Sequence, residues 1–89
     1  MRKEQALITN KLGLHARAAA RVVHTANRFK SSILIGVDDE EVNAKSILGL
    51  LTLAATKGTT VTVRAEGEDE NDAVAAVVQL IADKFGEEE

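Results

Sequence analysis

Between Thr59 and Glu66 apolar and polar residues alternate. Val61, Val63 and Ala65 share one face; Thr60, Thr62, Arg64 and Glu66 share the other. A period of two predicts a strand in a sheet with one solvated face. Ser32–Val37 repeats the pattern, with Ile33, Ile35 and Val37 set against Ser32, Leu34 and Gly36. Asp38-Asp39 reads as a tight turn into a short strand over Glu41–Ala44, and Lys3–Thr9 alternates weakly as another strand. Helical spacing marks three further segments. Ala16–Asn27 brings Ala16, Ala19, Ala20, Val23 and Ala26 near one face. Ile47–Leu53 follows Ser46, a residue type that opens helices, and Lys57-Gly58 is a stop signal. A last helix, capped by Asp69 or Asn71, carries a stripe of Val74, Val77, Val78, Ile81 and Phe85 and ends at Gly86.

The resulting order is β-α-β-β-α-β-α. Two long helices with single apolar stripes must cover one sheet face. The expected fold is therefore α+β, a four-stranded antiparallel sheet with helices on one face. The 89 residues suit one domain over 1–89, since no proline, Gly/Ser linker or repeat marks a boundary. The acidic run Glu87-Glu88-Glu89 reads as solvated and frayed.

Composition removes several function classes. The net charge is −3 and the only aromatic residues are Phe29 and Phe85, which argues against nucleic acid as a partner. A small nucleotide-binding module is disfavoured too, because no Gly-rich phosphate loop is present. The absence of cysteine excludes disulfides and thiolate metal sites. The N-terminal residues contain no apolar signal core, and no run approaches the roughly 20 apolar residues that span a bilayer. A soluble, cytoplasmic protein with no membrane insertion is expected.

The candidate chemistry centres on His15, in Gly13-Leu14-His15-Ala16-Arg17. A flexible glycine precedes it and an alanine-rich helix follows. Neutral imidazole is a nucleophile near neutral pH, and helix N-termini attract phosphate. The pattern points to a histidine that accepts and holds a phosphoryl group. The amides of Ala16 and Arg17 would be unpaired donors facing it, with the Arg17 guanidinium as a charged donor. No metal site is expected, because the only other histidine is His24 and the first helix has no Asp or Glu.

Arg17, Arg21, His24 and Arg28 form one basic helical stripe, either a solvated face or a docking surface for acidic partners. The second helix is apolar almost all round. Leu50 and Leu53 are assigned to the core, and Ile47, Leu48 and Leu51 to an exposed partner patch. Gly49 would let another backbone approach. Ser46 reads either as a helix cap or as a phosphorylation site whose added charge would block docking beside that patch.

These residues resemble the HPr family, the histidine-containing phosphocarriers of the bacterial phosphoenolpyruvate-dependent phosphotransferase system. Gly13-Leu14-His15-Ala16-Arg17 is similar to the family's active-site motif, and Asn43-Ala44-Lys45-Ser46-Ile47-Leu48-Gly49-Leu50 to its regulatory-serine segment. The resemblance implies an open-faced β-sandwich and a carrier that is not itself an enzyme and needs no cofactor. It implies that His15 Nδ1 takes a phosphoryl group from enzyme I and passes it to an enzyme IIA domain, with Arg17 steadying the phosphoryl oxygens. Ser46 would be the site of HPr kinase/phosphorylase. Docking would fall to Ile47, Leu48, Leu51 and Arg21. The family usually carries proline where this chain has Ala18, which restores an amide and loosens the first helical turn. Asn10-Lys11-Leu12-Gly13 resembles the nitrogen-regulatory branch, whereas the Ser46 segment resembles the sugar branch. An alternative role is thus mainly regulatory, through Ser46 phosphorylation, or a nitrogen-branch relay with little sugar transport.

Overall fold

The computed structural model describes all 89 residues, Met1–Glu89. Strands β1 (Arg2–Leu7), β2 (Ser32–Val37), β3 (Glu40–Asn43) and β4 (Thr60–Glu66) form one sheet in the order β1-β4-β2-β3. All neighbouring strands are antiparallel. Helices α1 (Ala16–Ala26), α2 (Ile47–Leu53) and α3 (Glu70–Ala82) complete the order βαββαβα, followed by a 3₁₀ turn at Lys84–Gly86. The expected α+β open-faced β-sandwich is the fold observed.

β4 lies inside the sheet, with Val63 opposite Glu4 of β1 and Ile35 of β2. Its apolar face behaves as the alternation requires: Val61, Val63 and Ala65 are buried with Ile33 and Ile35. Each of these valine and isoleucine side chains contributes about 1.5–3 kcal/mol when fully buried. On the other face Arg64 makes a two-pronged ion pair with Glu41, at 3.0 and 2.7 Å. α3 covers β1 and β4, while α2 packs on β3 and α1, and α1 packs on α3.

Several local expectations are corrected. The buried face of α1 is Ala18, Ala19, Val22 and Ala26, while Ala16 and Ala20 are exposed and Val23 is half-buried. Alanines on both faces make the stripe ambiguous, and Val22 rather than its neighbour Val23 sets it. α2 ends at Leu53, where Ala54 adopts a left-handed conformation (φ 52°), so Lys57-Gly58 is a turn before β4 and not the helix stop. Gly49 is half-buried, and a Cβ there would meet the chain's own Val42 and Ser46 at 3.3 and 3.4 Å. Asp69 occupies the N-cap position of α3 without capping it. Its carboxylate instead accepts from the Ser31 N–H and hydroxyl (2.9 and 2.5 Å) and the Lys30 N–H (2.9 Å), tying the start of α3 to the start of β2.

The end of α3 bears most directly on function. Phe85 joins the apolar stripe but not the helix, because Lys84 and Phe85 both turn left-handed (φ 58° and 56°). Non-glycine residues pay for that conformation. Here burial of the Phe85 ring, 1% exposed, and an Arg21 guanidinium bond to the Phe85 carbonyl hold it. The turn folds the following residues back across the start of α1.

Candidate functional site

His15 is the N-cap of α1, in extended backbone conformation. Gly13 makes the approach possible. Its φ is +65°, and a Cβ there would lie 2.6 Å from the Ala55 carbonyl oxygen. That oxygen accepts from the Leu14 N–H at 2.8 Å, and the buried Leu14 side chain anchors the loop beside the imidazole.

The two ring nitrogens face different partners. Nδ1 accepts from the Arg17 N–H at 3.3 Å, as an N-cap acceptor does. Nε2 lies 2.5 Å from Oε2 of Glu87. A carboxylate only accepts, so the neutral ring carries its proton on Nε2 and its lone pair on Nδ1. Asn10 stands behind Glu87. It is fully buried, and its amide donates to Glu87 Oε1 at 2.7 Å and to the Gly13 carbonyl at 2.8 Å. The Asn10 amide, joined by the His15 hydrogen bond and the His15 and Arg17 charges, holds the Glu87 carboxyl below its ordinary range. Glu87 is therefore an ionised acceptor at neutral pH.

The acidic run is thus not frayed. Lys11 N–H donates to the Glu89 carbonyl at 2.9 Å, and Lys11 Nζ lies 3.8 Å from the Glu89 carboxylate. A depression of about 510 Å³ separates Lys11, Leu12, Arg17 and Arg21 from Gly86–Glu89. Of the two helix-start amides expected to be free, Arg17 N–H is taken by the His15 ring. α1 begins at Ala16, and Ala18 is fully buried in its first turn.

Arg17 is exposed at the edge of this depression, whereas Arg21 is tied to the Phe85 carbonyl and buttresses the turn. Ser46 caps α2, its Oγ accepting from the Gly49 N–H at 3.1 Å. Ile47, Leu48 and Leu51 are exposed at 43%, 78% and 38%, while Leu50 and Leu53 are buried. Sequence reasoning missed Glu87 and Asn10. The one usable signal was Phe85-Gly86, an apolar anchor followed by a turn residue. No group of three or more His, Asp or Glu side chains is placed to hold a metal ion. No helix is long and apolar enough to cross a membrane.

A part-exposed imidazole with its lone pair at a helix start, on an open-faced sandwich, defines a class of small α+β proteins built around one presented histidine. The comparisons make the class specific. A family model described as the PTS HPr component phosphorylation site matches residues 2–83. The phosphocarrier protein HPr of Xylella fastidiosa strain 9a5c is 46% identical over 88 residues, covering 99% of both chains. The HPr-like protein Crh of Halalkalibacterium halodurans is 47% identical over 81 residues, covering 91% of this chain and 96% of Crh. The crystal structure of HPr-C-His from Thermoanaerobacter tengcongensis superposes with a TM-score of 0.95 at 48% identity, covering all of both chains. The chain belongs to the HPr family, the phosphocarriers of the phosphotransferase system.

Proposed function

We propose that His15 Nδ1 is the phosphoryl acceptor of this carrier, loaded by the phosphohistidine of enzyme I and unloaded onto an enzyme IIA domain. The observation that carries the reading is the division of the ring, with Nε2 engaged by Glu87 and Nδ1 turned toward the start of α1. In loading, the Nδ1 lone pair forms the new P–N bond as the donor's P–N bond breaks, and that electron pair returns to the donor nitrogen. Catalysis is positioning and charge stabilisation. The Ala16 amide, the Arg17 amide once the Nδ1 lone pair is committed to phosphorus, and the Arg17 guanidinium take the phosphoryl oxygens. The chain is a stoichiometric carrier and not an enzyme, works in the cytoplasm, and acts as one HPr-like unit over 1–89.

Docking area comes from exposed Ile47, Leu48 and Leu51, with Arg21 on the basic face of α1. Ser46 is the site for HPr kinase/phosphorylase. A phosphoryl group there adds about −1.5 to −2 charge beside the patch and opposes docking. The test is loading by phosphoenolpyruvate and enzyme I. The parent chain takes up one acid-labile phosphoryl group, and His15→Ala takes up none. Undiminished uptake by His15→Ala refutes the assignment.

A further inference from the structure

We infer that Glu87, held in place by Asn10, is a positioning residue that fixes His15 in the tautomer protonated on Nε2, and so makes Nδ1 the nucleophile. This rests on the reading of His15 as the phosphoryl acceptor. A neutral imidazole has two tautomers, and only the nitrogen without the proton can attack phosphorus. The Arg17 N–H at 3.3 Å is a long contact and selects weakly between them. Glu87 Oε2 at 2.5 Å from Nε2 selects strongly, because a carboxylate facing a lone pair would be repelled.

The same contact serves both directions of transfer. When Nδ1 gains the phosphoryl group and Nε2 keeps its proton, the ring becomes cationic beside an anionic carboxylate. When the phosphoryl group leaves for the next acceptor, the P–N electron pair stays on Nδ1 and the ring departs as neutral imidazole. Without a proton on Nε2 it would have to depart as imidazolate, a far poorer leaving group. No proton enters or leaves the solvent in either step.

Asn10 gives the idea a test that loss of packing cannot imitate. Its amide donates to Glu87 Oε1. In a Glu87→Gln variant the side-chain carbonyl must stay on Asn10, which turns the new NH₂ toward His15 Nε2. That NH₂ donates, so it stabilises the tautomer protonated on Nδ1, whose nucleophilic lone pair is gone. Glu87→Ala only removes the selection and leaves both tautomers open. The conservative replacement is therefore expected to be the more harmful one.

The full-length parent and both variants are compared by ¹⁵N spectra of the neutral His15 ring, and by single-turnover loading from phosphorylated enzyme I. The expected result is a parent ring protonated on Nε2, a shift toward Nδ1 protonation in Glu87→Gln, and mixed tautomers in Glu87→Ala. Loading by Glu87→Gln should be roughly ten- to a hundredfold slower than the parent. That is less than the roughly 10⁴-fold loss when a wrong-tautomer histidine must also shuttle a proton. Loading by Glu87→Ala should fall between the two. A parent ring protonated on Nδ1, an unshifted Glu87→Gln ring, or a Glu87→Gln variant no slower than Glu87→Ala overturns the inference. Failure of the underlying reading is distinguishable, since it appears as continued labelling of His15→Ala whatever the ring spectra report.

Discussion

Replacing Gly13 by alanine strikes the loop that carries His15, and its cost can be worked from the structure. The new Cβ meets three parts of the backbone: the Ala55 carbonyl oxygen at 2.6 Å, Thr56 Cα at 2.9 Å and Lys57 N at 3.3 Å. None is the movable end of a side chain. Relief requires displacing the loop, which strains the Leu14–Ala55 hydrogen bond at 2.8 Å. Holding alanine at φ +65° costs about 1–2 kcal/mol. Forcing one carbon into a packed contact costs about 1–3 kcal/mol. The stiffer unfolded chain offsets about 0.4–1 kcal/mol. The net expectation is a destabilisation of about 1–5 kcal/mol, with a fall in Tm of about 4–8 °C for each kcal/mol in a domain of this size. Gly58 supplies the control. It too has positive φ (+90°), but a Cβ there would meet nothing within 4 Å. Gly58→Ala therefore carries the conformational cost without the clash, about 1–2 kcal/mol less the same offset of about 0.4–1 kcal/mol. Urea and thermal unfolding of both variants measure the difference. If Gly13→Ala costs no more than Gly58→Ala, the close approach of the loop to Ala55 does not hold His15 in place, and the reasoning fails.

Ser46→Ala removes the acceptor for the Gly49 N–H and should lower stability by about 0.5–2 kcal/mol, read from the urea midpoint. An unchanged midpoint would mean that the cap contributes nothing and that the hydroxyl is free for other work. For Asp69, hydrogen bonds from the Ser31 hydroxyl and the Lys30 and Ser31 amides lower the carboxyl pKa from 3.8 to about 2. A depressed carboxylate adds stability above its unfolded pKa and loses it as pH falls toward the folded one. Asp69→Asn should therefore be less stable at neutral pH and show a flatter urea midpoint between pH 4 and pH 2 than the parent. Parallel curves for the two proteins across that window would refute the role of this carboxylate.

How much of this was legible in the chain depends on the separation of the partners. β4 could be read because its alternation is local and one of its faces is wet. The α2 patch could be read because seven consecutive residues, Ile47–Leu53, cannot all be buried by a short surface helix. The face of α1 could not, since alanine is apolar enough for either side and Val22 and Val23 are adjacent. His15 was legible because its glycine loop, helix start and arginine are sequence neighbours. Glu87 was not, because its partners His15 and Asn10 lie 72 and 77 positions away. The left-handed turn that brings it there uses Lys84 and Phe85, residues with no preference for that conformation. Nothing local distinguishes Glu87 from Glu88, so the run looked like solvated charge.

The geometry around His15 also indicates which parts of the chemistry belong to the chain and which to its partners. A carrier is loaded by one protein and unloaded by another, so only features common to both steps can be built into it. Control of the Nε2 proton is common to both, and in the proposed mechanism it is supplied from within by Glu87 and Asn10. Donors for the phosphoryl oxygens are common to both, and in the proposed mechanism they are supplied by the first turn of α1 and by Arg17. In-line alignment and exclusion of water depend on whichever nitrogen stands opposite, and the chain provides neither. The His15 side chain remains 23% exposed, beside a depression whose walls are mostly charged. In the proposed transfer water is excluded when a partner's apolar surface closes over that edge, and exposed Leu12, at 64%, and the α2 patch are apolar surface able to receive one. If docking falls on those side chains and transfer on Nδ1, as proposed, the two are coupled by geometry, and a charge placed at Ser46 would govern chemistry at a histidine it does not touch.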